Sequence, residues 1–131
     1  MLVPGHSEAR KWLSRWKEKK RQYEPLVGEY KLQYYFEGGM QKRADQRSRA
    51  FDIVFYPNGL YHLNNIIDSE KFEYAGTFNY ERNILTLNRF RGRAGVRFRC
   101  DFSGDRLQMK CLSIGDVVDN LEFMDCILTR R

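Results

Sequence analysis

Phe72-Glu73-Tyr74-Ala75-Gly76-Thr77-Phe78-Asn79-Tyr80 sets large aromatic residues against small or polar ones at every second position, broken only by Gly76. Successive side chains of a strand point to opposite faces, so this run predicts a strand with one buried and one wet face. Asp68-Ser69-Glu70 before it and Glu81-Arg82-Asn83 after it read as short turns. The same period of two extends outward from there. Leu60 to Ile66 reads as the preceding strand, and Phe51, Ile53 and Phe55 as the one before that, ended by the hairpin signal Pro57-Asn58-Gly59. At the start, Tyr30, Leu32, Tyr34 and Phe36 alternate with Glu29, Lys31, Gln33 and Tyr35 until Glu37-Gly38-Gly39 stops the strand; the charged stretch from Gln41 to Arg49 then reads as a loop.

Downstream, Ile84 to Phe90 makes a fifth strand, Arg91 to Gly95 a loop, and Val96, Phe98, Cys100 and Phe102 the buried face of a sixth. Ser103-Gly104-Asp105 is expected to turn the chain so that Phe102 faces Arg106 and Cys100 faces Gln108. Leu107, Met109 and Cys111 then line the seventh strand. An eighth runs from about Asn120 to Arg130, its alternation broken near Phe123-Met124 as at a bulge. Strands joined mostly by such short turns cannot make parallel crossovers, so the sheet is antiparallel. An open sheet with this much apolar surface needs a second layer, which a single helix cannot supply. The expected fold is therefore all-β: an eight-stranded, antiparallel, up-and-down barrel.

Before Pro25 the period is different. Ala9, Trp12, Leu13 and Trp16 recur at steps of three and four, Ser7 is a suitable N-cap, and Pro25 ends the pattern. Residues 1–24 thus read as a basic amphipathic helix leading into a barrel over 25–131. The whole 131-residue chain has the size of one domain. A content of 42% hydrophobic residues, with nine Phe and eight Tyr, is ample for a core. No apolar run approaches the roughly 20 residues that cross a bilayer, and no apolar leader opens the chain, so the expected compartment is the cytoplasm. Cys100, Cys111 and Cys126 match no zinc or redox spacing and are expected as free thiols, while His6 and His62 have no ligand neighbours. Neither a metal nor a cofactor is expected.

Several fragments occur in a telling order. Leu26-Val27-Gly28-Glu29-Tyr30-Lys31-Leu32 resembles a G-x-W-K-L opening with Tyr30 in place of Trp. Phe55-Tyr56-Pro57-Asn58-Gly59-Leu60-Tyr61 resembles an F-x-x-D/N-G-x-Y hairpin. Gly76-Thr77-Phe78-Asn79-Tyr80 with Ile84-Leu85-Thr86-Leu87 follows, and then Ser103-Gly104-Asp105-Arg106-Leu107-Gln108-Met109. Together they resemble the bacterial lipocalin-like domains of the calycin superfamily over roughly Leu26 to Arg131. The resemblance implies a scaffold for binding apolar molecules or partners, and an Arg of the last strand, Arg130 or Arg131, packed over Tyr30. Fold by itself does not select the ligand.

Three candidate sites follow. In the barrel interior, Tyr30, Phe55, Tyr74, Phe78 and Phe98 would face a small apolar ligand, with His62 supplying a polar contact. Those rings, with Phe51, Phe72 and Phe102, are also large enough to fill the interior, and both readings stay open. In the second, Arg89, Arg91, Arg93, Arg97 and Arg99 interleave with Phe90 and Phe98, a composition suited to RNA or another polyanion, in a chain of net charge +6. The bland alternative is a strand with arginines on its wet face. In the third, Trp12 and Trp16 form a stripe that could dock a protein partner, lie in a membrane interface, or cap the barrel. No nucleophile elbow, phosphate-binding glycine loop or paired metal ligand is present, and a barrel enzyme would have to work through His62 or Cys100. The leading expectation is a non-enzymatic lipocalin-like binding protein. The alternative is an accessory subunit that binds RNA or an acidic protein surface.

Overall fold

A computed structural model describes residues 21–88, 95–113 and 125–131. It contains β1 (Gly28–Glu37), β2 (Met40–Arg43), β3 (Arg49–Phe55), β4 (Leu60–Ile67), β5 (Glu70–Glu81), β6 (Ile84–Asn88), β7 (Val96–Ser103), β8 (Arg106–Ser113) and β9 (Cys126–Arg130). The strands pair in the order β2-β1-β3-β4-β5-β6-β7-β8-β9, and β1 also pairs with β9. That last ladder, with Tyr30 opposite Arg130 and Leu32 opposite Leu128, closes eight strands into a barrel. Every neighbouring pair is antiparallel. Of the N-terminal helix, residues 21–23 are helical, and the rest, with Trp12 and Trp16, lies outside the described residues.

Turn chemistry accounts for the meander. Asp68 and Ser69, and likewise Arg82 and Asn83, take positive φ, the backbone that two-residue hairpins require to match strand twist. The same device corrects the reading of the first hairpin. Gly38 and Gly39 have φ of 59° and 78°, so they do not merely stop β1 but fold it back, and Met40 to Arg43 pairs with Tyr34 to Glu37 as a strand rather than a loop. The β7–β8 turn is also tighter than expected. Gly104 takes a φ of 59°, a two-residue turn suffices, and Ser103 stays in the ladder opposite Arg106. Phe102 consequently faces Leu107 and Cys100 faces Met109, one step away from the predicted partners.

The alternation expected along β1 holds only to Leu32. Against β9 the register shifts between Leu32 and Tyr34, leaving Gln33 as an extra residue. One inserted residue moves everything beyond it to the opposite face. Tyr35, expected on the wet side, is therefore buried in the core, while Tyr34 and Phe36 are only half-buried.

The two ends of the barrel differ. Where β1 begins and β9 ends, the interior is plugged: Leu26, Leu85, Leu107 and Leu128 are fully buried, and Tyr30, Phe55 and Phe78 meet edge to face at centroid separations of 5.9 and 5.1 Å. Tyr23 extends the cluster, its ring 4.8 Å from that of Phe78. Such tilted pairs satisfy the ring quadrupoles and add about 0.5–1.5 kcal/mol each to area burial.

Candidate functional site

At the other end, several inward-facing side chains among the described residues stay partly exposed. Alternation along β3 aims Arg49 and Phe51 inward beyond the buried Ile53 and Phe55, and pairing sets Phe51 opposite Asn65 and Asn65 opposite Phe72. Phe51, Phe72 and Cys111 pack against the core yet stay partly exposed. Deeper in, Tyr35 and Tyr74 are buried. The Phe72 and Tyr74 rings lie nearly parallel, 6.5 Å apart, and the Arg49 guanidinium sits 5.5 Å from the Tyr35 ring centroid. Asn65 is the one buried polar or charged residue among those described. The mouth thus offers an apolar, aromatic wall with one amide and one cation, the pattern of a pocket that orients a mostly apolar ligand by a few polar contacts.

The predicted ligand residues divide between these regions. Tyr30, Phe55 and Phe78 belong to the plug, and Phe98, equally buried, faces inward from β7. Tyr74 alone lines the mouth end. His62 faces outward and is corrected accordingly: its Nε2 lies 2.5 Å from Glu73 Oε1 on the outer wall. Arg49 and Tyr35 were not singled out by sequence. Arg49 ended a charged stretch read as a loop, although its spacing of two from Phe51 carries the signal, and Tyr35 was hidden by the bulge.

On the outer wall, Arg97 and Arg99 are exposed. Arg99 lies directly opposite Lys110. None of these three cations makes an ion pair among the described residues. Arg89, Arg91 and Arg93 lie outside the described residues.

Titration chemistry points away from reactive thiols. Burial pushes the Cys100 thiol up to about 12, reinforced by Asp101. Burial also raises Cys126, with Cys100, Asp125 and Cys111 adding to it, and raises Cys111, where Asp125 adds and a backbone hydrogen bond from Ser113 opposes. A thiol held protonated is neither nucleophile nor metal ligand. All three cysteines are free. Among the described residues, no group of three His, Cys, Asp or Glu side chains is placed to hold a metal ion, and no helix is long and apolar enough to cross a membrane.

No family model, curated protein or solved structure matches this chain. The closed eight-stranded antiparallel barrel is compatible with a lipocalin-like fold.

Proposed function

We propose that this protein is a non-enzymatic, lipocalin-like binding protein that takes a small, mostly apolar ligand in the mouth half of its barrel. The observation that supports this is the contrast between the ends: side chains pointing inward are sealed at one and remain partly exposed at the other. Leaving Phe51 and Phe72 partly wet forfeits burial worth about 25 cal/mol per Å², a cost a ligand would recover. The plug limits how deep the ligand reaches, and Arg49 over Tyr35 favours a polar or anionic head at the rim. Native mass spectrometry of the protein taken from its own host, with displacement of an apolar dye by the extracted lipid fraction, tests the reading. A bound small molecule and competitive displacement are expected. Protein that carries nothing and a dye that no extract displaces would refute it.

A second reading, an accessory subunit that binds RNA, draws support from Arg99 facing Lys110. Like charges opposed across strands are destabilising, and an external polyanion relieves that repulsion. Its test is the salt dependence of binding to a labelled single-stranded RNA. Replacing Arg97, Arg99 and Lys110 with Gln should flatten the slope by about 0.7 for each phosphate that is no longer neutralised, and an unchanged slope removes the idea.

A further inference from the structure

The inward positions of β4 are Tyr61, Leu63, Asn65 and Ile67, so an amide stands in a column of otherwise large, mostly apolar side chains. Asn65 is only 7% exposed, yet its side-chain amide makes no hydrogen bond among the described residues. No fully covered side-chain nitrogen or oxygen among them lacks a partner. The little surface that Asn65 keeps therefore includes Oδ1 and Nδ2, and because the side chain points inward these atoms are reached through the barrel mouth. An unpaired amide forfeits on folding the hydrogen bonds it made with water, a loss that Leu in its place would avoid. Nothing in the fold uses this group.

Its neighbours define what it would meet. Register sets Phe51 of β3 directly opposite Asn65 on one side and Phe72 of β5 directly opposite on the other, both rings partly exposed. Directly opposed side chains on neighbouring strands start about 4.5–5.5 Å apart at Cβ, so the amide lies between two aromatic rings. One rung nearer the rim is Arg49, opposite Ile67; one rung deeper are Ile53, Leu63 and Tyr74, all buried. An Asn side chain presents a carbonyl acceptor and an amino donor side by side. Its complement is a donor beside an acceptor on one edge, as in a cyclic amide, and the complement of the rings is a flat π system. We infer that the mouth selects a planar heteroaromatic molecule with an adjacent donor and acceptor, which enters edge first between Phe51 and Phe72 and pairs that edge with the Asn65 amide. This rests on the reading of the mouth as the ligand site and narrows it. A hydrocarbon chain covers the same rings but strands the amide, and a site built to hydrogen-bond its ligand discriminates strongly against an analogue that cannot reciprocate.

The full chain, ¹⁵N-labelled, is titrated with three probes: 2-quinolone, whose lactam edge carries the required pair; N-methyl-2-quinolone, whose donor is blocked; and naphthalene, the all-carbon analogue. Shifts are followed at the backbone amides of Phe51, Asn65 and Phe72 and at the Asn65 side-chain amide. 2-Quinolone is expected to bind saturably and about tenfold more tightly than either of the others. Asn65→Leu should abolish that preference and keep or raise the melting temperature, because no hydrogen bond within the protein is lost. An amide with a structural role would make the same variant melt lower. Naphthalene bound as tightly as 2-quinolone would overturn the inference while leaving the mouth an apolar site. A preference that survives Asn65→Leu, or a marked fall in that variant's melting temperature, would overturn it as well. No saturable shift with any of the three probes would overturn it together with the reading of the mouth.

Discussion

Arg130 lies over Tyr30. Its guanidinium carbon is 5.2 Å from the ring centroid, and its Nη2 donates at 2.6 Å to both the Tyr30 hydroxyl and the Pro25 carbonyl. The Tyr30 hydroxyl in turn donates to Leu26 O at 2.8 Å. These contacts join the last strand to the first and to the segment leading into it, at the ladder where the barrel closes. They also set the Tyr30 phenol: burial raises its pKa, and Arg130 opposes that rise.

Removing either partner should therefore loosen closure. Tyr30→Phe keeps the ring but deletes the hydroxyl, and is expected to cost about 1–2 kcal/mol. Arg130→Ala removes the cation over the ring as well as two hydrogen bonds and should cost about 1–3 kcal/mol. The two changes share one interaction, so urea unfolding of both single variants and the double variant should reveal a coupling of about 1 kcal/mol. Strict additivity would mean that the hydrogen bond between the Arg130 guanidinium and the Tyr30 hydroxyl contributes nothing to closure.

Alkali should unfold this protein through its buried thiols. The folded state holds Cys100 up at about 12 against an ordinary value of 9.0, and raises Cys126 in the same direction. Below the ordinary value both states keep the proton and the full stability is present. As pH climbs above it, the unfolded chain alone ionises, and stability falls by about 1.4 kcal/mol per pH unit for each such thiol until the folded thiol ionises too. Tyr30 and Tyr80, whose phenols burial lifts above 10.0, deepen the loss at higher pH. The melting temperature should be level near neutrality and drop once pH passes that of ordinary thiols. Cys100→Ala/Cys126→Ala, though less stable at neutral pH, should show a shallower decline, and an equal decline would place the sensitivity elsewhere.

The barrel was legible because β5 writes its pleat plainly and every flanking segment keeps the same period. What escaped was backbone geometry that leaves composition unchanged. The Gln33 bulge inverts which tyrosine of β1 is buried, yet Gln33-Tyr34-Tyr35 reads equally well in either phase. Gly38-Gly39 serves as a stop or as a hairpin turn, and only the partner strand decides. For the mouth, the aromatic residues were visible as a set, but which end each occupies depends on strand direction and register, so plug and rim could not be separated.

Two glycines should respond very differently to alanine. A Cβ on Gly76 would stand 2.0 Å from the Asn88 carbonyl oxygen and 3.0 Å from the Tyr61 ring, so β5 and β6 would have to part where β6 ends. Gly76→Ala is expected to cost at least about 2–3 kcal/mol, as overpacking against backbone does. A Cβ on Gly104 meets nothing within 4 Å, and only its φ of 59° penalises a side chain. Gly104→Ala should cost about 1 kcal/mol. Thermal unfolding of the two variants checks the order, and a Gly76 variant as stable as the Gly104 one would contradict the close approach of the two strands.

The mouth and the plug can be separated by truncating one ring in each. Phe78 is 3% exposed and touches both Phe55 and Tyr23, so Phe78→Ala opens a cavity at the sealed end and should cost about 3–5 kcal/mol. Phe72 is partly exposed and stacks only on Tyr74 among the rings described, and Phe72→Ala should cost about 1–2 kcal/mol. If the ligand sits in the mouth, affinity for an apolar dye should follow the opposite order. Phe72→Ala should weaken it strongly, while Phe78→Ala, measured at a temperature where the variant is still folded, should leave it near the parent value. Fluorescence titration of both variants distinguishes the cases. Dye affinity that falls with Phe78 and ignores Phe72 would mean that the bound molecule reaches the sealed end, and the division of the barrel into plug and mouth would then fail as an account of binding.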